Sequence, residues 1–345
     1  MDKTRQENKR GVDRQLVSLV RDAQGLTRQG KYQRAEEIYC RALSKDPEDV
    51  YALVGFGDLK RKTKAYQEAV FYYKKCLEID TDNKFALSGL GDAYRGSREL
   101  DKALEVWLRY LSIDPEDHRV LTRVADGFRK KGDYEASGRV YAKALEIMPD
   151  DPYALMGMGD ICEKTGDHEG ALMHYRRLCE TSKNSVRAMT SAAGLYRSRG
   201  EFSKAVAFYE KALEIDRKDS YAWHGKADCL RGLRSYRAAI DSWQTAMGHG
   251  MEPRIALTRI GDAYLSLDDL DHAEKSYQKA LEFGYDKYAC LGMAKICGRR
   301  KQRDRGLKFF SLLNEKEPGD PRVSAEYRGF LESHSRWEEG TAGPN

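Results

Sequence analysis

The chain returns to the same pattern every 34 residues, and this periodicity constrains its fold more than any single motif. Nine units run in one frame from Leu16 to Asp320: 16–49, 50–83, 84–117, 118–151, 152–185, 186–219, 220–253, 254–286 and 287–320. They take in 305 of the 345 residues, with one residue missing before Lys287. Position 24 of the unit is aromatic throughout: Tyr39, Tyr73, Trp107, Tyr141, Tyr175, Tyr209, Trp243, Tyr277 and Phe310. Position 8 is never larger than Ala: Ala23, Gly57, Gly91, Ala125, Gly159, Ala193, Ala227, Gly261 and Ala294. Position 20 is Ala except at Ser137 and Gly306, and Pro47, Pro115, Pro149 and Pro318 stand at position 32.

Within a unit, positions 4, 7, 8 and 11 form one helical stripe, and positions 17, 20, 24, 27 and 28 form another. Breaks near positions 14 to 16, as in Lys131-Gly132-Asp133 and Thr165-Gly166-Asp167, turn the chain between them. Small residues at 8 and 20 let two antiparallel helices approach closely, and the aromatic at 24 fills the space toward the next unit. Each hairpin keeps an apolar side that only its neighbour covers, so a stacked array with one continuous core is predicted in place of separate domains.

The small residues at 8 and 20, the aromatic at 24 and Pro near 32 resemble the tetratricopeptide repeat (TPR) family. Position 4, usually Trp in that family, holds Leu19, Leu53, Leu87, Leu121, Leu155, Met189, Trp223, Leu257 and Cys290, a common apolar replacement. The resemblance implies an all-α fold: a right-handed superhelical α-solenoid of antiparallel helix hairpins. It also implies that the first helix of each unit lines a concave groove through positions 2, 5, 6, 9, 12 and 13, where a protein or peptide partner lies. Outside the array, residues 1–15 read as a polar, basic N-terminal extension. Val323, Tyr327, Phe330 and Leu331 give 321–334 the spacing of a capping helix, and 335–345 read as a disordered tail.

Composition narrows the function. With 60 Lys+Arg against 55 Asp+Glu the net charge is +5, too even for a chain built to coat nucleic acid. The mean hydropathy is −0.73 and no apolar run approaches the roughly 20 residues of a membrane span. The first ten residues have no apolar core, so they are no secretory signal. Seven cysteines without a CxxC pair read as free thiols in a reducing compartment, the cytoplasm.

The groove positions carry the functional reading. Position 9 holds Asp58, Asp92, Asp126, Asp160, Asp228 and Asp262, and position 12 holds Arg61, Arg95, Arg129, Arg197 and Arg231. An acidic row therefore runs beside a basic row, three residues apart on each helix. The rows either tie adjacent units together or fix the backbone and charges of a partner segment. Tyr51, Phe85, Tyr153, Tyr221 and Tyr288 occupy position 2, and the same five units have Gly at position 6: Gly55, Gly89, Gly157, Gly225 and Gly292. Either the position-2 ring lies where a side chain at 6 would be, or each pair makes a shallow aromatic-floored pocket. From the fourth unit to the ninth such pockets would alternate with Arg-bearing units, offering a partner alternating apolar and acidic contacts. The Lys at position 5 with Asn at 9 that clamps a carboxylate in many TPR domains is absent.

Residues 299–308 form a basic patch containing Arg299, Arg300, Lys301, Arg303 and Arg305. It reads as a solvated face or as a contact for an acidic partner or anionic surface; without interleaved aromatics, nucleic acid is the weaker branch. Chemical motifs fail on context. Gly55-Phe56-Gly57 and its relatives lie inside a helix with no strand before them, Gly225-Lys226 is followed by Ala227, and the seven histidines lack metal-ligand spacing. Lys226, at core-side position 7, is expected to snorkel or pair with an acid. No cofactor, metal or catalytic residue is expected. The sequence points to a non-catalytic interaction scaffold that binds a partner segment in the groove. A self-assembling, homo-oligomeric structural protein and a basic-patch binder are the alternatives.

Overall fold

The computed structural model describes the backbone of residues 3–182 and 184–341, and the side chains of 15–182 and 184–333. Every secondary-structure element among them is helical. Each unit of the repeat becomes one hairpin, with an A helix that ends at position 13 or 14 and a B helix that starts at position 17. The chain groups into two compact units, 1–174 and 175–345, and the division falls within α10 (His168–Thr181).

In the first compact unit the hairpins are α1 (Lys3–Arg28) with α2 (Tyr32–Lys45), α3 (Val50–Lys62) with α4 (Tyr66–Ile79), and α5 (Lys84–Gly96) with α6 (Leu100–Ile113). They continue with α7 (His118–Lys131) and α8 (Tyr134–Ile147), then α9 (Pro152–Thr165), which leads into α10. In the second they are α11 (Val186–Ser198) with α12 (Phe202–Ile215), α13 (Ser220–Gly232) with α14 (Tyr236–Gly248), and α15 (Pro253–Ser266) with α16 (Leu270–Glu282). There α17 (Lys287–Arg299) pairs with α18 (Arg303–Lys316), and α19 (Pro321–Thr341) follows. The expected capping helix is α19, which continues beyond residue 334 because Ser335-Arg336-Trp337-Glu338-Glu339 contains no breaker. Of the expected tail, residues 342–345 lie outside the described residues, as do residues 1–2 and the side chains of the N-terminal extension through residue 14.

The turn between the helices has one recurring conformation. Position 15 is left-handed in every unit, at φ 74 to 84° for Gly30, Gly132, Gly166 and Gly200 and at φ 59 to 66° for Lys64, Arg98, Arg234, Asp268 and Lys301. Such a residue ends a helix and reverses the chain, which is why glycine recurs there. The next A helix starts on a side-chain cap. Asp49, Asn83, Asp117, Asp151, Asp219, Asp286 and Asp320, each the last residue of its unit, accept hydrogen bonds from backbone N–H groups in the first turn.

The core is built as the periodicity predicts. The position-20 alanines are fully buried, and Ser137 replaces Ala at no cost in satisfaction because its hydroxyl donates to the Ala125 carbonyl at 2.6 Å. Trp107, Trp243 and the position-24 tyrosines are the largest side chains removed from water. At roughly 25 cal/mol per Å² of apolar surface, these rings dominate the burial energy of each hairpin. A helices also pack on A helices: α1 on α3, α3 on α5 and α7 on α9 in the first unit, and α11 on α13, α15 on α17 and α17 on α19 in the second. Successive B helices do not pack this closely among the described residues. The A helices are therefore the inner layer of each compact unit.

Candidate protein-interaction face

The inner layer leaves one face of every A helix uncovered, and its floor is set by position 6. An ideal Cβ on Gly89 would stand 2.4 Å from the Tyr73 ring, on Gly157 2.2 Å from Tyr141, on Gly225 2.3 Å from Tyr209 and on Gly292 2.2 Å from Tyr277; on Gly55 it would stand 2.5 Å from the Tyr39 hydroxyl. Each ring is the position-24 tyrosine of the preceding unit, inserted between two A helices. The ring that excludes a side chain at position 6 is thus not the aromatic at position 2 of the same helix, which corrects the packing expected from their i, i+4 spacing. The space over each glycine is filled, so the aromatic-floored pocket does not exist in that form.

A signal for this was present in the order of the units. Tyrosine at position 24 precedes each of the five glycines, whereas Trp107 and Trp243 precede Arg123 and Arg259. The indole of Trp107 turns back into its own hairpin, where a Cβ on Gly91 would meet its Nε1 at 2.2 Å. The next position 6 is then free to carry a long side chain.

With the rings of position 24 beneath them, the rings of position 2 are left on top. Phe85 is 77% exposed, Tyr153 76% and Tyr51 72%, unusually high for large apolar groups, and Val17 continues the row on α1. In the second compact unit Tyr221 and Tyr288 are 54% and 48% exposed, with Ile255 between them in sequence.

The acidic and basic rows, by contrast, largely satisfy each other. Arg61 spans two helices, 3.2 Å from Asp58 on its own and 3.4 Å from Asp92 on the next. Arg129 repeats this with Asp126 at 2.6 Å and Asp160 at 3.3 Å, and Arg197 reaches Asp228 at 3.3 Å. Arg95 pairs with Asp92 at 3.2 Å and lies over the Trp107 ring, while Arg231 is exposed and forms no ion pair with a described residue. Tyr73 and Tyr277 donate their hydroxyls to Asp58 and Asp262, at 2.7 and 2.6 Å. Burial alone would raise the Asp126 carboxyl, but Lys130 and Arg129 hold it below the ordinary carboxylate range. The arginine–aspartate pairs thus connect one unit to the next, and the tyrosine–aspartate bonds connect the two helices of one unit.

Two aspartates differ from the rest. Asp92, buried, faces three guanidiniums: Arg61, Arg95 and Arg123, the last at 3.4 Å and also donating to the Ser88 hydroxyl at 2.7 Å. Asp228 faces Arg197 and Arg259, the latter at 3.1 Å, with His224 at 3.6 Å. Burial holds His224 toward its neutral form, with Arg259 and Arg197 adding to the effect against Asp228.

The basic patch is tied down rather than displayed. Arg299 pairs with Asp268 at 2.7 Å, Arg300 with Asp271 and Glu274, and Arg305 with Glu274 at 2.5 Å, all acids of the preceding hairpin. Lys301 and Arg303 belong to the same turn and likewise have partners. Lys226 pairs with Glu210 at 2.8 Å and lies over Trp223, as a snorkelling lysine should. All seven cysteines are unpaired, and burial pushes the thiols of Cys76, Cys229 and Cys290 up to about 11. No described helix is long and apolar enough to cross a membrane.

Comparison with solved structures finds the same architecture. A tetratricopeptide repeat protein from Parabacteroides merdae ATCC 43184 is 19% identical and superposes with a TM-score of 0.52, covering 72% of this chain and 98% of that one. Also similar is Pseudomonas aeruginosa pilF, at 15% identity and a TM-score of 0.49, covering 62% of this chain and 96% of that one. YrrB, described as a TPR protein with an unusual peptide-binding site, is 21% identical with a TM-score of 0.46 and covers 55% of this chain and 97% of that one. At such identities the first of these shows the fold alone. No curated protein matches the chain in sequence. Two family models described as tetratricopeptide repeat match residues 22–84 and 122–186, and 186–219 and 256–283, together more than half of the sequence. The chain belongs to the tetratricopeptide repeat family.

Proposed function

We propose that this chain is a non-catalytic interaction scaffold that holds a segment of a partner protein against its A-helix face. The observation that supports this is the position-2 row. Tyr51, Phe85 and Tyr153 stand mostly in solvent at one register, on helices where Asp58, Arg61, Asp92, Arg95 and Asp160 are already in ion pairs. Exposed aromatics have no role in folding that would favour them there, and they are the residue type that most often anchors an interface. Raised thiols, and a Lys226 committed to Glu210, fit binding better than covalent chemistry. Unpaired cysteines favour a reducing compartment such as the cytoplasm.

The test is the triple variant Tyr51→Ser, Phe85→Ser, Tyr153→Ser, compared with wild type in affinity capture from native extract, with helicity checked by circular dichroism. Exposed substitutions of this kind should change stability by no more than about 0.5 kcal/mol each. Loss of specific partners from a fully helical variant is the expected result. Equal capture by both proteins would overturn the reading, and recovery of the chain alone would move the function to self-assembly.

A further inference from the structure

Three clefts between successive A helices are closed by the same bridge. An arginine at position 12 crosses to the aspartate at position 9 of the next unit: Arg61 to Asp92 at 3.4 Å, and Arg129 to Asp160 and Arg197 to Asp228 at 3.3 Å each. Between α17 and α19 the same two places are Gly298 and, with the repeat frame carried on from Pro321, Gly329. Both partners of the bridge are deleted together. A cavity of about 530 Å³ stands there, lined by both glycines and by Phe310 and Phe330, whose ring centroids lie 5.3 Å apart.

Packing does not account for these glycines. A Cβ on Gly292 or Gly306 would meet a ring at 2.2 or 2.3 Å, so a side chain is excluded there. On Gly298 it would stand 3.5 Å from Phe330, an ordinary contact, and on Gly329 it would meet nothing within 4 Å. Both lie inside helices, where glycine is the poorest residue after proline. Two glycines that weaken their helices and line one cavity hold it open, as glycine does where a ligand approaches the backbone closely. The charges around the cavity are already engaged. Lys295 on α17 pairs with Glu326 on α19 at 2.7 Å, Arg299 pairs with Asp268 at 2.7 Å, and Arg322 lies over the Tyr288 ring, 5.2 Å from its centroid. Lys287 also lies over that ring, at 5.5 Å. The row of position-2 rings therefore ends before the cavity.

We infer that the cavity between α17 and α19 is a binding site for a small, uncharged molecule with a flat apolar body. The site is separate from the position-2 row and goes beyond the scaffold reading. Its volume falls within the roughly 300–1,000 Å³ of small-molecule pockets. Phe310 and Phe330 offer a ring the tilted and offset contacts that aromatic groups prefer. An ionic ligand would have to compete with pairs already formed, whereas a neutral ring gains from leaving water alone.

The probe for the experiment is N-phenyl-1-naphthylamine, an uncharged aromatic that fluoresces on leaving water. It is titrated into the full chain and into the variants Gly329→Leu, Gly298→Arg/Gly329→Asp and Tyr51→Ser/Phe85→Ser/Tyr153→Ser. Wild type should show saturable binding at a single site. Gly329→Leu fills the cavity and should weaken binding about tenfold or more. Its thermal midpoint should not fall, because leucine is a far better helix former than glycine. Gly298→Arg/Gly329→Asp rebuilds the bridge of the other clefts and should weaken binding to the same extent, which decides the matter if Gly329→Leu melts early. The triple variant should bind as wild type does. Absence of saturable binding to wild type, or binding that survives both cavity variants, would overturn the inference. So would early melting of both, since the glycines would then serve the fold, and so would loss confined to the triple variant, which would move the probe to the exposed rings. None of these outcomes bears on the scaffold reading, whose own test is partner capture.

Discussion

Tyr209 offers a quantitative test of the tyrosine–aspartate bond within a repeat. In two other units the position-24 tyrosine donates its hydroxyl to the position-9 aspartate, Tyr73 to Asp58 at 2.7 Å and Tyr277 to Asp262 at 2.6 Å. In the unit 186–219 position 9 is Gly194, and the Tyr209 hydroxyl is buried without a hydrogen-bond partner. A Cβ on Gly194 would meet nothing closer than the Tyr221 hydroxyl at 3.9 Å, so there is room for a side chain. The substitution Gly194→Asp should therefore complete the bond. A hydrogen bond to a charged group contributes about 1.5–3 kcal/mol, and exchanging Gly for Asp inside a helix adds roughly 0.3 kcal/mol. Fixing the new side chain costs about 1 kcal/mol. Arg197, three residues on, would flank the new carboxylate as Arg61 flanks Asp58. The net gain should be about 1–2 kcal/mol. Arrays of repeats depart from two-state unfolding, so the informative quantity is a difference within one system. Urea unfolding of wild type, Gly194→Asp, Tyr209→Phe and the double variant gives a coupling energy. A coupling within about 0.3 kcal/mol of zero would show that the tyrosine–aspartate bond does not tie the two helices of a hairpin together.

Replacing Gly89 by Ala should destabilise by about 1–3 kcal/mol through overpacking against Tyr73, with much of the loss recovered in a Tyr73→Ala background; urea midpoints read both. Glycine at Lys64, Arg98 or Arg234, the left-handed turn residues, should raise stability by roughly 0.5 kcal/mol each, whereas Gly132→Ala should lower it by about 1 kcal/mol, seen as opposite shifts in thermal midpoint. Removing the cap at Asp151 with Ala should cost about 1 kcal/mol and expose the first amides of α9 to hydrogen exchange. Acid should unfold the array: Asp117, Asp126 and Glu274 are each raised by burial but lowered more by their partners, so their net folded values lie below the ordinary ones. Their contribution is complete above the unfolded carboxylate value of about 4 and is lost as pH falls through the folded values, so circular dichroism should fall below about pH 4, less steeply in Asp126→Asn.

Much of the fold could be read from the sequence because the repeat supplies the same local instruction nine times. Small residues at 8 and 20 with an aromatic at 24 leave an antiparallel hairpin as the only way to bury all three, and Pro or Gly at fixed offsets marks its ends. What sits above position 6 was not legible from one unit, because the ring that fills it arrives from the unit before. Spacing along a helix identifies neighbours on that helix and is silent about an inserted side chain from another. The turn residues show the same limit. Glycine at 30, 132, 166 and 200 advertises a left-handed turn, but Lys64, Arg98, Arg234, Asp268 and Lys301 adopt it under tertiary constraint with no sign in their own identity.

The functional residues divide along the same line. Aspartate and arginine recur in register, and recurrence makes them conspicuous, yet the geometry shows why a stacked array needs them: each unit must satisfy polar groups against the next. A binding role is better sought where the register is broken. Tryptophan at 107 and 243 removes the phenol that would otherwise cover position 6 of the following helix, and arginine takes the opened place both times. Glycine at 298 and 329 deletes both partners of the bridge that closes other clefts, and a cavity opens between α17 and α19. The regular positions thus build the wall, and its irregular positions are where a partner's chemistry can be distinguished.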